Sequence, residues 1–191
     1  MTTRSPPKPV RVGCAGWALP KEHAARFPPT GSHLARYAAR FPMVEINSSF
    51  YRPHRPTTYA RWAASVPADF RFAVKVPRTI THQRRLADPG DLLDSFLAEA
   101  TQLGEKLGPL LVQLPPSLAF AAGVAGQFFE ALRSRFDGDV VFEPRHPSWF
   151  EPAAERLVTG SRVARVAADP AVVPAAGEPG GWDGLVYYRL H

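Results

Sequence analysis

The chain has 191 residues, of which 45% are hydrophobic and 21% are charged, a balance that suits one globular domain and excludes a largely disordered protein. Its formal net charge of +6 comes from scattered arginines without a long basic run, which permits a nucleic-acid partner but does not require one. The single cysteine, Cys14, excludes an internal disulfide, and the longest apolar runs are far shorter than the roughly 20 residues of a membrane-spanning helix. We therefore expect a cytoplasmic protein with no membrane partner.

Residues 1–9 are polar and rich in proline, and we expect them to be a disordered tail in front of a single domain at residues 10–191. In that domain short apolar runs recur, each followed by Pro, Gly or Ser and then by a segment with helical spacing. The candidate strands are residues 10–13, 43–48, 70–76, 110–114, 140–143, 162–167 and 185–190.

The segments between these strands carry helix signals. Ser32 can cap a helix with apolar residues at positions 34, 37, 38 and 41, and Thr57 or Thr58 can cap another with the same spacing over residues 59–66. A longer helix is predicted at residues 92–107, with Gly108 placed to end it, and Pro152 suits the first turn of a later one. Strands and helices therefore alternate along the chain.

Strands joined through helices in this way are parallel and form either an open doubly wound sheet or a barrel. A dinucleotide-binding sheet would have a glycine-rich fingerprint after its first strand, and the segment from Gly13 to Trp17 lacks the third glycine. Polar residues instead follow most strands, where barrel enzymes place their chemistry. We therefore predict a TIM-type α/β barrel.

The strand ends carry polar groups where a barrel core normally has Val, Ile or Leu. Residues two apart share a face of a strand, which groups the polar side chains by strand. The groups are Glu45 with Asn47, Lys75, Gln113, Glu143 with Arg145, Asp169, and Arg189 with His191. Buried charges need partners, so these groups either neutralise one another as a polar plug or form a functional site, and we favour the site.

Roles follow from residue chemistry. Two glutamates from separate strands can divide acid and base work, a histidine can shuttle a proton, and converging cations suit a phosphate or carboxylate group. We predict catalytic roles for Glu45, Lys75, Glu143, His146 and His191, and substrate-binding roles for Asn47, Tyr51, Gln113, Arg145, Asp169 and Arg189. A Schiff-base role for Lys75 is a weaker alternative.

Two other partners have some support. A divalent metal could be held by Glu45, His146, Asp169 and His191, but nearby cations disfavour it, and we predict neither a metal nor another cofactor. Nucleic acid is the alternative partner, suggested by the net charge and by Arg84 and Arg85, which adjoin His82 in a loop that could cover the barrel mouth.

The chain closely resembles the domain of unknown function 72 (YecE-like) family of barrel proteins. The resemblance is carried by seven short motifs in order over almost the whole chain: residues 13–17, 44–51, 70–77, 81–86, 107–116, 145–149 and 187–191. It implies a TIM-like barrel with the matched polar residues at one mouth, and it supplies no reaction. Pro144, between Glu143 and Arg145, departs from the family pattern and leads us to expect Glu143 in a bend.

The resemblance also implies a further loop, helix and strand after residue 191, so about seven of eight strands would be present. We expect the sequence to be a truncated piece of a longer protein, whose site would then lack one wall. The sequence thus predicts a small-molecule enzyme, a hydrolase, lyase or isomerase, that uses acid and base chemistry on an anionic substrate. The alternatives are a nucleic-acid-binding module and an inactive fragment.

Overall fold

A computed structural model describes residues 10–190. Residues 1–9, the predicted tail, and His191 lie outside the described residues. The chain has the predicted mixed α/β fold, and no helix in the described range is long and apolar enough to cross a membrane. Its α-helices there are α1 (His33–Ala38), α2 (Ser48–Tyr51), α3 (Pro56–Ala64), α4 (Gly90–Ala100), α5 (Ala122–Arg133) and α6 (Pro152–Gly160).

The strands alternate with these helices, as the apolar runs predict. Within residues 10–190 they are β1 (Gly13–Ala15), β2 (Met43–Ile46), β3 (Arg71–Lys75), β4 (Leu107–Gln113), β5 (Val140–Glu143), β6 (Ala164–Arg165), β7 (Ala167–Asp169), β8 (Gly180–Gly181) and β9 (Tyr188–Leu190). Strands β1 to β6 pair in chain order and in parallel, and β8 adds an antiparallel edge beside β6.

The predicted sixth strand is divided into β6 and β7 by Val166. The amide of Val166 donates to the carbonyl of Phe142, whereas the amide of Ala167 donates to the carbonyl of Tyr187, each at 2.9 Å. The chain therefore leaves β5 at this point and continues alongside β9, with which β7 pairs in parallel. Seven successive parallel strands result when β6 and β7 are counted as one, and the ladders of residues 10–190 do not join β1 to β9, so the barrel is not closed.

Several predicted boundaries are wrong. The first strand begins at Gly13, where a side chain would collide with the carbonyl oxygen of Met43, and the preceding valines, Val10 and Val12, are exposed. Helix α3 begins at Pro56 rather than after Thr57 or Thr58, because proline suits the first helical position. Helix α4 ends at Ala100, a short 3-10 turn follows, and β4 already contains Gly108. The predicted cap of α1 is confirmed, since Ser32 Oγ accepts from the Ala35 amide at 3.1 Å.

The sheet has two apolar faces, which explains its nearly continuous hydrophobic strands. The outer face packs against the helices through large residues such as Phe72, Leu110 and Phe142. The inner face carries a separate, smaller apolar layer made of Leu111, Val141, Ala164 and Val166. This layer forms the floor beneath the polar ends of the strands.

Because Phe142 is fully buried and its ring contacts Phe129 and Trp149, we expect Phe142→Ala to lower the free energy of unfolding by about 3–5 kcal/mol. The matched control is Val124→Ala on α5, where Val124 is 38% exposed, and its expected change is within about 0.5 kcal/mol. Urea denaturation measures both. Similar losses of unfolding free energy for the two variants would contradict the buried packing of Phe142.

Candidate functional site

A cluster of ionisable side chains lies above the inner apolar layer, at the carboxyl ends of the parallel strands. Glu45 comes from β2, Lys75 from β3, Gln113 from β4, Glu143 from β5 and Arg189 from β9, and each is at most 9% exposed. These residues are far apart in sequence, and the parallel arrangement of the strands brings them together. We call this set, together with Arg145, the polar cluster.

Arg189 is the centre of the polar cluster. Its Nε and Nη2 donate to the two carboxylate oxygens of Glu45 at 3.0 and 2.9 Å, and its Nη1 donates to Oε2 of Glu143 at 2.9 Å. The hydroxyl of Tyr187 also donates to Glu45, at 3.3 Å. One guanidinium therefore joins the carboxylates of two non-adjacent strands.

Glu143 is held by three neighbours. Besides Arg189, its Oε1 accepts from Gln113 Nε2 at 2.9 Å and from Arg145 Nε and Nη2 at 2.9 and 2.7 Å. Burial alone would raise the pKa of Glu143, but these donors outweigh burial and keep its pKa below the usual value. Glu143 is thus a carboxylate at neutral pH, which does not suit it to be a general acid.

The expected bend at Glu143 is wrong. Glu143 is the last residue of β5, in register with Gln113, and its carbonyl accepts from the Leu114 amide at 3.0 Å. Pro144 follows the last ladder position, so its missing N–H costs the sheet nothing.

Lys75 differs from the other cations of the cluster. Its Nζ lies 4.2 Å from the centre of the Phe50 ring, and within residues 10–190 it makes neither a hydrogen bond nor an ion pair. Burial, followed by repulsion from Arg189, lowers its pKa from 10.5 to about 8 in spite of the attraction of both glutamates. Two carboxylates and three cations leave the polar cluster with one positive charge in excess when Lys75 is protonated.

The remaining predicted site residues lie at the margin of the cluster or away from it. Asn47 follows β2, and its Oδ1 is buried without a hydrogen-bond partner among residues 10–190. Tyr51 is 70% exposed and its ring packs edge-on against Phe50. His146 caps a short 3-10 turn, where its Nδ1 accepts from the Ser148 amide at 3.2 Å and bonds the Ser148 hydroxyl at 2.8 Å.

Asp169 is not brought into the polar cluster. In the pairing of β7 with β9, Ala168 is in register with Arg189, and Asp169 is in register with the exposed Leu190. Because the side chains of a strand alternate, Asp169 points to the face opposite Arg189 and is exposed. His191, the other predicted residue at this end, lies outside the described residues.

Three residues near the cluster were not among the predicted site residues. Tyr187 precedes Arg189 by two positions, and this spacing was a signal that it shares the inner face. Phe50 forms the aromatic surface beside Lys75, and the His82 ring packs edge-on against Phe50 with a centroid separation of 4.9 Å. Burial and then the charge of Lys75 lower the pKa of His82. No pattern in the sequence links these two rings to Lys75.

The structure arranges no group of three or more His, Cys, Asp or Glu side chains for a metal ion anywhere in residues 10–190. In the loop predicted to cover the mouth, Arg84 is exposed and Arg85 donates to the hydroxyl and carbonyl of Ser117. An open depression beside this loop, reaching Leu118 and Trp149, includes no member of the polar cluster. The ionisable chemistry is therefore concentrated at the strand ends.

Parallel strands, covering helices and charged groups at the carboxyl ends of the strands define a barrel-like α/β protein, and sequence comparison identifies its family. The family model described as a protein of unknown function, DUF72, matches residues 11–191. The chain is 32% identical over 147 residues to the UPF0759 protein YecE of Escherichia coli K12, covering 76% of this chain and 52% of YecE. It is 28% identical over 152 residues to YunF of Bacillus subtilis 168, covering 75% and 53%.

Solved structures agree with this assignment at the level of the fold. A DUF72 family protein of Enterococcus faecalis V583 has a TM-score of 0.76 at 24% identity, over 95% of this chain and 70% of that one. A DUF72 family protein of Thermotoga maritima MSB8 has a TM-score of 0.72 at 23% identity, over 95% and 74%. The chain belongs to the DUF72 family, and it spans about half the length of the curated relatives it matches.

Removing one charge from the polar cluster should lower the stability of the fold. Glu143→Gln leaves two arginines with one carboxylate, so we expect it to lower the free energy of unfolding by about 3 kcal/mol. Asp94→Asn breaks the exposed pair with Arg135 and should cost at most about 0.5 kcal/mol. Urea denaturation at pH 7 compares the two variants. Equal losses of unfolding free energy would show that the buried ion pairs of Glu143 stabilise the fold no more than the exposed pair.

Lys75 should destabilise the fold at neutral pH. We expect Lys75→Met to raise the free energy of unfolding at pH 7 by about 1–3 kcal/mol, because it removes a buried ammonium that forms no ion pair within residues 10–190. Between pH 8 and pH 10.5 the unfolded chain holds the Lys75 proton more tightly than the folded one, so wild-type stability rises relative to the variant.

Urea denaturation at pH 7 and pH 10 measures this difference. The variant removes the titration of Lys75 itself, whereas the neighbouring charged and titratable side chains, Glu45, Glu143, Arg145, Arg189 and His82, are present in both proteins. A gap between wild type and variant that does not narrow with pH would show that Lys75 has an ordinary pKa.

Proposed function

We propose that this chain is a small-molecule enzyme that uses acid and base chemistry on an anionic substrate, one carrying a phosphate or carboxylate group. The observation that carries the proposal is the buried ammonium of Lys75, which has no ion-pair partner within residues 10–190. A fold gains no stability from such a group, so its presence is best explained by a ligand that completes the charge balance.

The charge of the cluster favours an anion. Glu45 and Glu143 are each paired with arginine, so the excess positive charge is centred on Lys75. Arg145 extends this positive region towards solvent, since its side chain is 36% exposed while it pairs with Glu143. A phosphate or carboxylate that enters from solvent would meet a guanidinium first and an ammonium next.

The proton chemistry centres on Lys75. A pKa of about 8 lets its amine exchange a proton near neutral pH, which a general acid or base requires. Burial and the neighbouring Glu45 raise the pKa of Tyr187, so its hydroxyl keeps its proton and acts as a hydrogen-bond donor. Glu143 acts as a positioning carboxylate for Arg145 and Arg189, and Asn47 is placed at the margin to bind a neutral polar group of the substrate. This chemistry suits a hydrolase, lyase or isomerase.

Nucleic-acid binding is the competing function, and the basic side chains support it less well. Arg145 and Arg189 pair with carboxylates, and Arg85 bonds to Ser117, so these arginines already have partners within the fold. We assign the enzyme to the cytoplasm, since Cys14 is an exposed free thiol of the kind that a reducing compartment preserves.

The test is a thermal melt with inorganic phosphate, citrate and a short oligonucleotide, because a ligand that binds the native state raises the melting temperature. Phosphate or citrate should raise it for wild type and for the control Lys21→Met, in which an exposed lysine is replaced. In Lys75→Met the Kd for the same anion should be at least about tenfold weaker.

The three outcomes separate the candidates. A shift with the small anions that depends on Lys75 supports the proposal. A shift with the oligonucleotide alone, weakening with salt, would assign the chain to nucleic-acid binding instead. Equal anion shifts in Lys75→Met and Lys21→Met would reject the polar cluster as the binding site.

A further inference from the structure

The surroundings of the Lys75 ammonium differ from those of a lysine that only binds an anion by its charge. Its Nζ lies beside the Phe50 ring instead of a carboxylate, and no hydrogen bond from it to residues 10–190 holds the proton in place. The groups that act on it electrostatically are Arg189, Glu45, Glu143 and Arg145, and the closest carboxylates already bind arginine. The lone pair of a neutral amine at this position would be available to a ligand.

We propose that Lys75 is a Schiff-base lysine, and that the substrates of this site are aldehydes or ketones that also carry a phosphate or carboxylate. This inference deepens the proposed function and rests on it for the anionic group. The site would then bind the anionic end of a substrate near Arg145 and present its carbonyl carbon to the Lys75 nitrogen, which comes from the rigid end of β3.

The covalent step needs no oxidant or reductant. The lone pair of the neutral amine attacks the carbonyl carbon, the carbonyl electron pair moves to oxygen, and a proton passes from nitrogen to that oxygen to give a carbinolamine. The carbon–oxygen bond then breaks and the hydroxyl leaves as water with the second N–H proton, so the net change is amine plus carbonyl to imine plus water. Protonation of the imine nitrogen gives an iminium ion that withdraws electrons from the adjacent carbon.

The electrostatics of the site support this step. Because burial and Arg189 lower the pKa of Lys75 to about 8, a substantial fraction of the amine is neutral at pH 7.5. By contrast, Lys106 donates to the carbonyls of Ala63 and Val66 at 2.6 and 2.7 Å, which occupies its ammonium.

The experiment is reductive trapping of the full chain with glyceraldehyde 3-phosphate and, separately, with neutral glyceraldehyde. Cyanoborohydride at pH 7.5 reduces any imine to a stable amine, and peptide mass spectrometry then locates the label. Glyceraldehyde 3-phosphate should label Lys75 at least about tenfold faster than the exposed Lys21 or the bonded Lys106. Lys75→Arg keeps the positive charge and should reduce the intact-mass adduct to the level set by the remaining lysines.

The outcomes distinguish this inference from the function on which it rests. Labelling of Lys75 no faster than that of Lys21 would overturn the Schiff-base proposal. A rise in melting temperature with phosphate would in that case still support the anion-binding site. Fast labelling of Lys75 by both aldehydes alike supports the imine and removes the preference for an anion. Fast labelling by the phosphorylated aldehyde alone supports both. Because Lys21 is an internal reference in the wild-type chain, the result does not depend on whether a variant folds.

Discussion

The guanidinium of Arg189 is the interaction on which the inside of this sheet depends. Glu45 and Glu143 are each at most 4% exposed, and a buried carboxylate without a partner is strongly unfavourable. Arg189 lies between them and satisfies both, with the planar donor geometry that only arginine provides. The carboxyl ends of β2 and β5 can therefore be charged and buried together, provided that β9 is in place.

With these pairs formed, Lys75 is the least constrained charged side chain of the polar cluster. The carboxylates are bonded to two arginines and an amide, whereas within residues 10–190 the Lys75 ammonium contacts the Phe50 ring and makes no hydrogen bond. Such an arrangement is typical of sites in which a few side chains are preorganised and one remains reactive. Membership of the DUF72 family agrees with this fold.

The sequence was sufficient for the alternation of strands and helices, because turn residues and apolar spacing recur in a regular order. It was also sufficient to predict that Glu45, Lys75, Gln113, Glu143, Arg145 and Arg189 lie together at the strand ends, since polar residues at the ends of apolar runs have few structural explanations. It did not reveal that Asp169 lies on the opposite face, because the strand segment before Asp169 is buried on both sides. A strand with two apolar faces contains no periodic signal that tells which residues face inward.

Other arrangements have local causes that the strand pattern does not show. His146 follows a strand, as the residues of the polar cluster do, and Pro147 and Ser148 then turn the chain so that the His146 ring caps that turn. The strand β8 consists of two glycines, whose pairing with β6 is a backbone interaction that no apolar pattern indicates. Phe50 of α2 and His82 of the helical turn after β3 meet beside Lys75 only through the three-dimensional arrangement of these two segments.

The distance along the chain between Glu45 and Arg189 has a consequence for synthesis. These partners are 144 positions apart, and Arg189 follows Glu143 by 46. At about 5–20 residues per second, a ribosome completes Glu45 roughly 7–30 seconds before its counterion exists. Until then the early strands emerge with their charged ends still hydrated. The nascent chain can form its outer, helix-covered face first, and the charged ends of β2 and β5 can become buried only when β9 is delivered.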